Sequence, residues 1–391
     1  MTPAARVQAA IELLDAILAA ARESGAAADA LIARYFKTRR YAGSKDRRAV
    51  RELVYRAIRR AGDPPGSGRA AMLGVAADEP ELRELFDGSP HGPAPAGPDE
   101  QAASAGIAPN WLLDRLDPLV GPEERARLLD RAPLDVRVNA LRGSRADALA
   151  ALPDAVSTAH SSLGLRLPEG LRVEETAAWR EGLIEVQDEG SQLACLACEA
   201  RPGERVVDLC AGAGGKTLAL AADMADQGAI IAADSDRGRL SRIAQRAARA
   251  GVTIVSEQLL DPGRELEALV GVEADLALVD APCSGSGTWR RNPETRWRMT
   301  PERLEHLVAL QARLLDLAAG LLAPGGRLVY VVCSLLAEEG REQAAALTAR
   351  SSLVPEEIAM PAGRAAGTGH LLTPGQDGTD GFFVARWRRP C

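Results

Sequence analysis

Lysine is nearly missing from this chain. Of its 47 basic residues only Lys37, Lys45 and Lys216 are lysine, so a lysine inside a glycine loop marks a place where a compact ammonium is wanted. Cysteine is sparse too, six in 391 residues, too few for a disulfide framework in a chain this long. Cys195 and Cys198 form a C-x-x-C, but their Leu and Ala neighbours place them on an apolar helix. With no second C-x-x-C or His pair to complete a zinc site, they read as packing and no metal is expected. No apolar run approaches the length of a membrane span, and Met1 to Arg6 leads into an amphipathic pattern and not into a signal peptide. A cytoplasmic protein without a membrane partner is expected.

Charge is present but unevenly placed. The net charge is −7, yet the first seventy residues carry 14 basic and 7 acidic side chains. A basic N-terminal module on an acidic body is the distribution expected of a nucleic-acid grip, with Arg47 and Arg48 as candidate contacts.

The chain is organised around Val206-Val207-Asp208-Leu209-Cys210-Ala211-Gly212-Ala213-Gly214-Gly215-Lys216-Thr217. An apolar strand ends in an acid, and a tight glycine turn opens into a helix whose N-terminus offers free N–H groups. Missing glycines narrow the reading. A phosphate-binding P-loop needs glycine where Cys210 stands, and a dinucleotide fingerprint needs one where Thr217 stands. The looser glycine loop of S-adenosylmethionine (AdoMet) methyltransferases fits. Asp234, twenty residues beyond Gly214, is placed to take ribose hydroxyls. Asp261 follows the next strand, within reach of an adenine amine.

Three domains follow from the pattern. Val7, Ile11, Leu14 and Leu18 recur at helical spacing; Ala26 to Phe36 reads as a second helix. Ser44 caps and begins a third, with Val50, Leu53, Val54 and Ile58 as its buried stripe. Residues 1–125 are thus expected to be all-helical. Alternation at Asp135 to Asn139, a helix at 144–152 and a strand at Leu183 to Val186 give a small α/β (RRM-like) subdomain over 126–185. From 186 to 391 a regular βα rhythm ends strands at Asp208, Asp234, Val255, Asp280 and Val332, which predicts a doubly wound, Rossmann-like parallel sheet.

Two cysteines stand immediately beyond strands of that sheet, in Asp280-Ala281-Pro282-Cys283 and in Tyr330-Val331-Val332-Cys333. If the strands are neighbours, both thiols face one crevice. The residues alone leave open which thiol attacks. Arg290 and Arg291, just past the Gly-Ser-Gly loop, are candidate phosphate contacts.

Asp208 to Thr217, Asp280 to Trp297, Cys333 to Gly340 and Asp380 to Ala385, in that order, resemble the motif series of the RsmB/Nop2/Sun family of RNA 5-methylcytosine methyltransferases. The N-terminal helices resemble the NusB-like RNA-binding domain found ahead of some bacterial members. The family resemblance implies AdoMet bound by Cys210, Ala211, Gly212, Ala213, Gly214, Gly215, Lys216, Asp234, Asp261 and Asp280. It implies Cys333 as nucleophile on cytosine C6, Cys283 as helper in proton removal or product release, and Asp280 facing the base. Ribosomal RNA of the small subunit is the favoured substrate, transfer RNA the runner-up, and a monomer is expected. A non-catalytic assembly factor would not need both cysteines. Gly212-Ala213 stands where the family commonly has Ala-Pro, and Val332 where Thr is usual; neither change removes a functional group.

Overall fold

The computed structural model describes residues 1–23 and 25–391. These divide into two units. One holds Met1–Leu116, Arg125–Asp130 and Thr288–Pro301; the other holds Asp117–Glu124, Arg131–Gly287 and Glu302–Cys391.

The first unit is built on four helices: α1 (Pro3–Arg22), α2 (Ala28–Thr38), α3 (Ser44–Arg60) and α4 (Gly68–Asp78). Thr2 caps α1 by accepting from the Ala5 N–H, and Pro3 starts it, where a missing N–H costs nothing. Val7, Ile11, Leu14 and Leu18 are buried as the spacing predicts, against Val50, Val54 and Ile58 of α3 and Met72 of α4. Ser44 is the first residue of α3 and Gly43 its cap, a shift of one position.

The surprise is a segment from the C-terminal half of the sequence. Residues 186–391 read as one domain, yet Thr288–Pro301 packs with the helices. Arg296 is fully buried and donates to the carbonyls of Pro293, Ile58 and Ala61. The latter two are among the orphan carbonyls at the end of α3, which a cation satisfies well. Burial pushes the Arg296 guanidinium down to about 9. Trp297 Nε1 adds a bond to the Ala61 carbonyl at 3.1 Å, and Glu294 accepts from the Ala28 N–H at 3.1 Å. Arg290, read as a phosphate contact, belongs to this packed segment and is only 5% exposed.

The second unit contains two sheets. A small antiparallel sheet has the order β2-β3-β1-β4, with β1 Leu134–Val138, β2 Val156–Ser157, β3 Gly164–Leu167 and β4 Ile184–Val186. A capping box of Ser144 and Asp147 starts its helix, Arg145–Ala151.

The large sheet comprises β5 (Arg205–Asp208), β6 (Ala229–Asp234), β7 (Val255–Leu259), β8 (Ala274–Asp280), β9 (Leu322–Val332), β10 (Val354–Glu356), β11 (Arg364–Ala366), β12 (Gly369–Leu372) and β13 (Phe382–Arg388). Its order is β11-β12-β13-β9-β8-β5-β6-β7, with β10 also paired to β13. The pairs from β9 through β7 are parallel, and β13 runs antiparallel to β9. The doubly wound parallel core is therefore present, extended by an antiparallel edge. β7 starts at Val255, where the strand was expected to end. Gly251 closes the preceding helix in a left-handed turn and Val252 N–H still bonds back to the Ala247 carbonyl, so those residues serve the helix exit. The chain goes from β5 outward through β6 and β7 and returns on the other side at β8. That reversal opens a crevice beyond the carboxyl ends of β5 and β8.

Candidate active site

At the end of β5 the glycine loop takes the shape its composition predicts. Gly212 has φ +55° and Gly214 φ +83°, and Gly214 caps the helix Gly215–Asp223; side chains rarely adopt this left-handed region. A Cβ on Gly215 would meet nothing within 4 Å, whereas one on Gly212 would press on the Arg239 guanidinium and one on Gly214 on Ile243, so the loop is open at Gly215 and closely packed before it. Asp234, at the end of β6, accepts from the N–H groups of Gly212 and Asp236, both at 2.7 Å. One carboxylate thus pins the loop while each oxygen keeps a further lone pair. These features fit a nucleoside held by backbone amides and one acid. Asp261 lies two residues past β7 with its side chain 70% exposed, paired to Arg264 at 4.0 Å; it is at the correct sheet edge but makes no bond to the loop among those described.

Asp208 is completely buried, with Oδ2 accepting from Thr217 Oγ1 at 2.7 Å and Oδ1 without a partner. Burial pushes its carboxyl up to about 7. The folded protein therefore binds this proton more tightly than the unfolded chain. The contribution of Asp208 to stability is present below its unfolded pKa of about 3.9 and is lost as pH rises through about 7. Asp223, raised to about 6 by burial, acts in the same direction. Urea midpoints measured between about pH 4 and pH 8 should fall with pH in the natural chain and fall less steeply in Asp208→Asn. Equal slopes in the two proteins would show that Asp208 ionises freely.

The two thiols meet. β8 ends in Asp280 and leads to Cys283; β9 ends in Val332 and leads to Cys333. Ala281 N–H bonds to the Val331 carbonyl at 2.9 Å and Gly287 N–H to the Cys333 carbonyl at 3.0 Å, which stitches the two loops together. The sulfurs are 3.4 Å apart and both side chains are half-buried. The hydrogen bond to Cys333, burial and the nearby charges of Cys333 and Glu339 together push the Cys283 thiol well up.

Lys216 reaches from the first turn of its helix to Asp280, Nζ to Oδ2 at 2.7 Å. Burial works against the ammonium, but Asp280, with smaller contributions from Cys195 and Cys333, outweighs it, and the Lys216 pKa ends above its ordinary value. The ammonium also lies 5.3 Å from the centroid of the Phe382 ring. Cys210 is half-buried and its thiol is raised by burial; Cys195 and Cys198 are buried. Arg47 donates to the Ala42 carbonyl at 2.9 Å and Arg48 is exposed, both in the helical unit with Arg290 and half-exposed Arg291. Sequence reasoning missed Glu339, a fully buried acid that bonds to both thiol loops. The serine following each cysteine was the signal available.

Residues 195–388 match the family model described as 16S rRNA methyltransferase RsmB/F. This half of the chain is a methyltransferase domain of the RsmB/F family. It is a family of AdoMet-dependent methyltransferases. A Klebsiella pneumoniae protein named ribosomal RNA small subunit methyltransferase B is 36% identical over 289 residues, covering 72% of this chain and 65% of that protein. The match thus spans just under two thirds of that relative's length. Among solved structures, the one titled PH0851 superposes with a TM-score of 0.76 at 25% identity, covering 100% of this chain and 99% of that one. A methyltransferase homologue from Pyrococcus horikoshii gives a TM-score of 0.63 at 29% identity, covering 71% and 93%. No helix among the described residues is long and apolar enough to cross a membrane.

Proposed function

We propose that this protein transfers a methyl group from AdoMet to C5 of a cytosine in RNA, through a covalent bond between Cys333 and C6. The observation that carries this reading is the pair of thiols at 3.4 Å, at the ends of adjacent strands beside an acid. Small-subunit ribosomal RNA is the substrate the related proteins' names favour.

AdoMet would be held by the loop from Cys210 to Lys216 with Asp234, Asp261 and Asp280, and it supplies an electrophilic methyl on a sulfonium. The chain's own residues do the rest. Cytosine C5 is a weak nucleophile until a thiolate adds at C6 and makes the ring enamine-like. Cys333 supplies that thiolate, and Asp280 holds the N3 side of the base, where charge changes as the bond forms. Before attack, Cys283 stays a thiol because Cys333 beside it favours the proton. Once the Cys333 sulfur is tied into a neutral thioether, that influence disappears and the Cys283 pKa falls. Cys283, which is only half-buried, then gives its proton to solvent and serves as the base that removes the C5 hydrogen. The electrons of that C–H bond restore the ring double bond and expel Cys333 as thiolate.

The helical unit, expected to be a NusB-like RNA-binding domain over 1–125, would contribute Arg48 and its neighbours to phosphate contact. The small sheet completes the three-domain arrangement, with the protein acting as a cytoplasmic monomer. Incubating the full chain with methyl-labelled AdoMet and either small-subunit rRNA or tRNA, then mapping modified nucleosides, tests the reading. Label recovered as 5-methylcytosine in rRNA is expected. Label in tRNA alone moves the substrate, and label on a ring nitrogen or a ribose refutes the mechanism.

A further inference from the structure

Each cysteine is followed by a serine, and both serines converge on one acid. Glu339 is fully buried. Its Oε1 accepts from the Ser284 N–H at 2.9 Å and from Gln311 Nε2 at 2.9 Å. Its Oε2 accepts from the hydroxyls of Ser284 and Ser334, the latter at 2.6 Å. Gln311 Nε2 also donates to the Pro282 carbonyl at 2.9 Å, so both residues flanking Cys283 are tied to this group. Ser286 completes the web, its hydroxyl 3.1 Å from that of Ser334 and accepting from the Leu335 N–H at 2.8 Å. The backbone of Glu339 is anchored in turn, because the Tyr330 hydroxyl donates to its carbonyl at 2.6 Å.

Such an arrangement is costly. A carboxylate is acceptor-only and expensive to bury, and the donors around it are neutral. A salt bridge to a cation would stabilise the charge more directly, but it would not join two loops. What the group achieves is geometric: one carboxylate spans the Cys283 loop after β8 and the Cys333 loop after β9.

We infer that Glu339 is a positioning residue that holds the Cys283 and Cys333 loops in register, so that one thiol stands at C6 of the base and the other within reach of the C5 hydrogen. This rests on the proposed two-thiol mechanism for its catalytic meaning. The geometric part stands without it. Misplacement of a catalytic group by about 1 Å costs on the order of 10²-fold in rate, so a carboxylate that fixes the spacing is worth its burial.

The test uses diamide, a diazene that takes both hydrogens of a dithiol and leaves a disulfide and the hydrazine. The rate at which the full chain forms the Cys283–Cys333 disulfide, read by peptide mapping, reports how close the sulfurs stay, because a disulfide tolerates only a narrow Cβ separation. Charge and geometry predict opposite signs. Loss of the Glu339 charge lowers the Cys283 pKa, which alone speeds cross-linking; loosened loops slow it. In Glu339→Ala we expect cross-linking to slow by about tenfold or more, with kcat falling on the order of 10²-fold and KM for AdoMet unchanged. Glu339→Gln should recover much of both rates, since the serine hydroxyls can turn to accept from the new amide. A folded Glu339→Ala that cross-links at the natural rate or faster overturns the inference. If Glu339→Ala does not fold, Ser334→Ala cuts the web on one side and must slow cross-linking; an unchanged rate there is equally fatal. Slow cross-linking in a chain that makes no 5-methylcytosine would uphold the positioning role and reject the proposed reaction.

Discussion

In Cys333→Ala, methyl transfer should be lost, by on the order of 10⁴–10⁶-fold as for other removed nucleophiles, and no protein–RNA adduct should form. In Cys283→Ala, turnover should also fail, but the protein should remain bound to its RNA through denaturing electrophoresis when AdoMet is present. The difference follows from the order of steps. Addition needs a thiolate at C6, and in the proposed reaction Cys333 supplies it, beside a Cys283 thiol that is held well above its ordinary range. Elimination needs a base for the C5 hydrogen after transfer, and without it the methylated base stays attached to sulfur. Cys283 stands 3.4 Å from Cys333, close enough for one base to serve the same ring. An adduct in Cys333→Ala and none in Cys283→Ala would reverse the two roles. A Cys283→Ala protein that turns over at the natural rate would assign the proton to another group.

How much of this was legible beforehand depends on what each feature rests on. The glycine loop and the acids at Asp208, Asp234 and Asp280 were readable because glycine density and strand-end acids leave local marks. The neighbourhood of Cys283 and Cys333 was readable only conditionally, since adjacency of β8 and β9 is a property of strand order. The antiparallel β13 was not foreseen. Its Phe382-Phe383-Val384-Ala385 run is buried on both faces, and such a run does not state its direction or its partners. Arg290 and Arg296 show the limit most clearly. In sequence both belong to a cluster of arginines just past the Cys283 loop, and exposed arginine is the default expectation. In the structure Arg296 satisfies helix-end carbonyls some 235 positions away in the chain, at Ala61. Glu339 was hidden for a similar reason, because its partners at Ser284, Gln311 and Ser334 come from three segments. Local pattern marks where a residue sits on its own element; it does not say which distant carbonyl or hydroxyl that element meets.

The pair formed by Lys216 and Asp280 allows structure and chemistry to be separated. The side chains are 10% and 30% exposed, and burial disfavours the ammonium unless Asp280 is ionised beside it. Asp280→Asn removes that support. Breaking a buried pair costs about 3–5 kcal/mol, and the partial exposure of Asp280 points to the lower end. The variant should also gain stability as pH rises towards about 10, because its lysine is pushed below the unfolded value by burial and the folded state then prefers the neutral amine. Lys216→Met combined with Asp280→Asn leaves no buried charge without a partner, so thermal midpoints should return most of the way to those of the natural chain. Activity should not return. The carboxylate that the proposed reaction places at the N3 side of the base is gone in both variants, and such acid–base groups contribute about 10²–10⁴-fold. A double variant that regained both stability and turnover would reduce Asp280 to a counter-ion for Lys216. An Asp280→Asn protein as active as the natural chain would remove it from the reaction altogether.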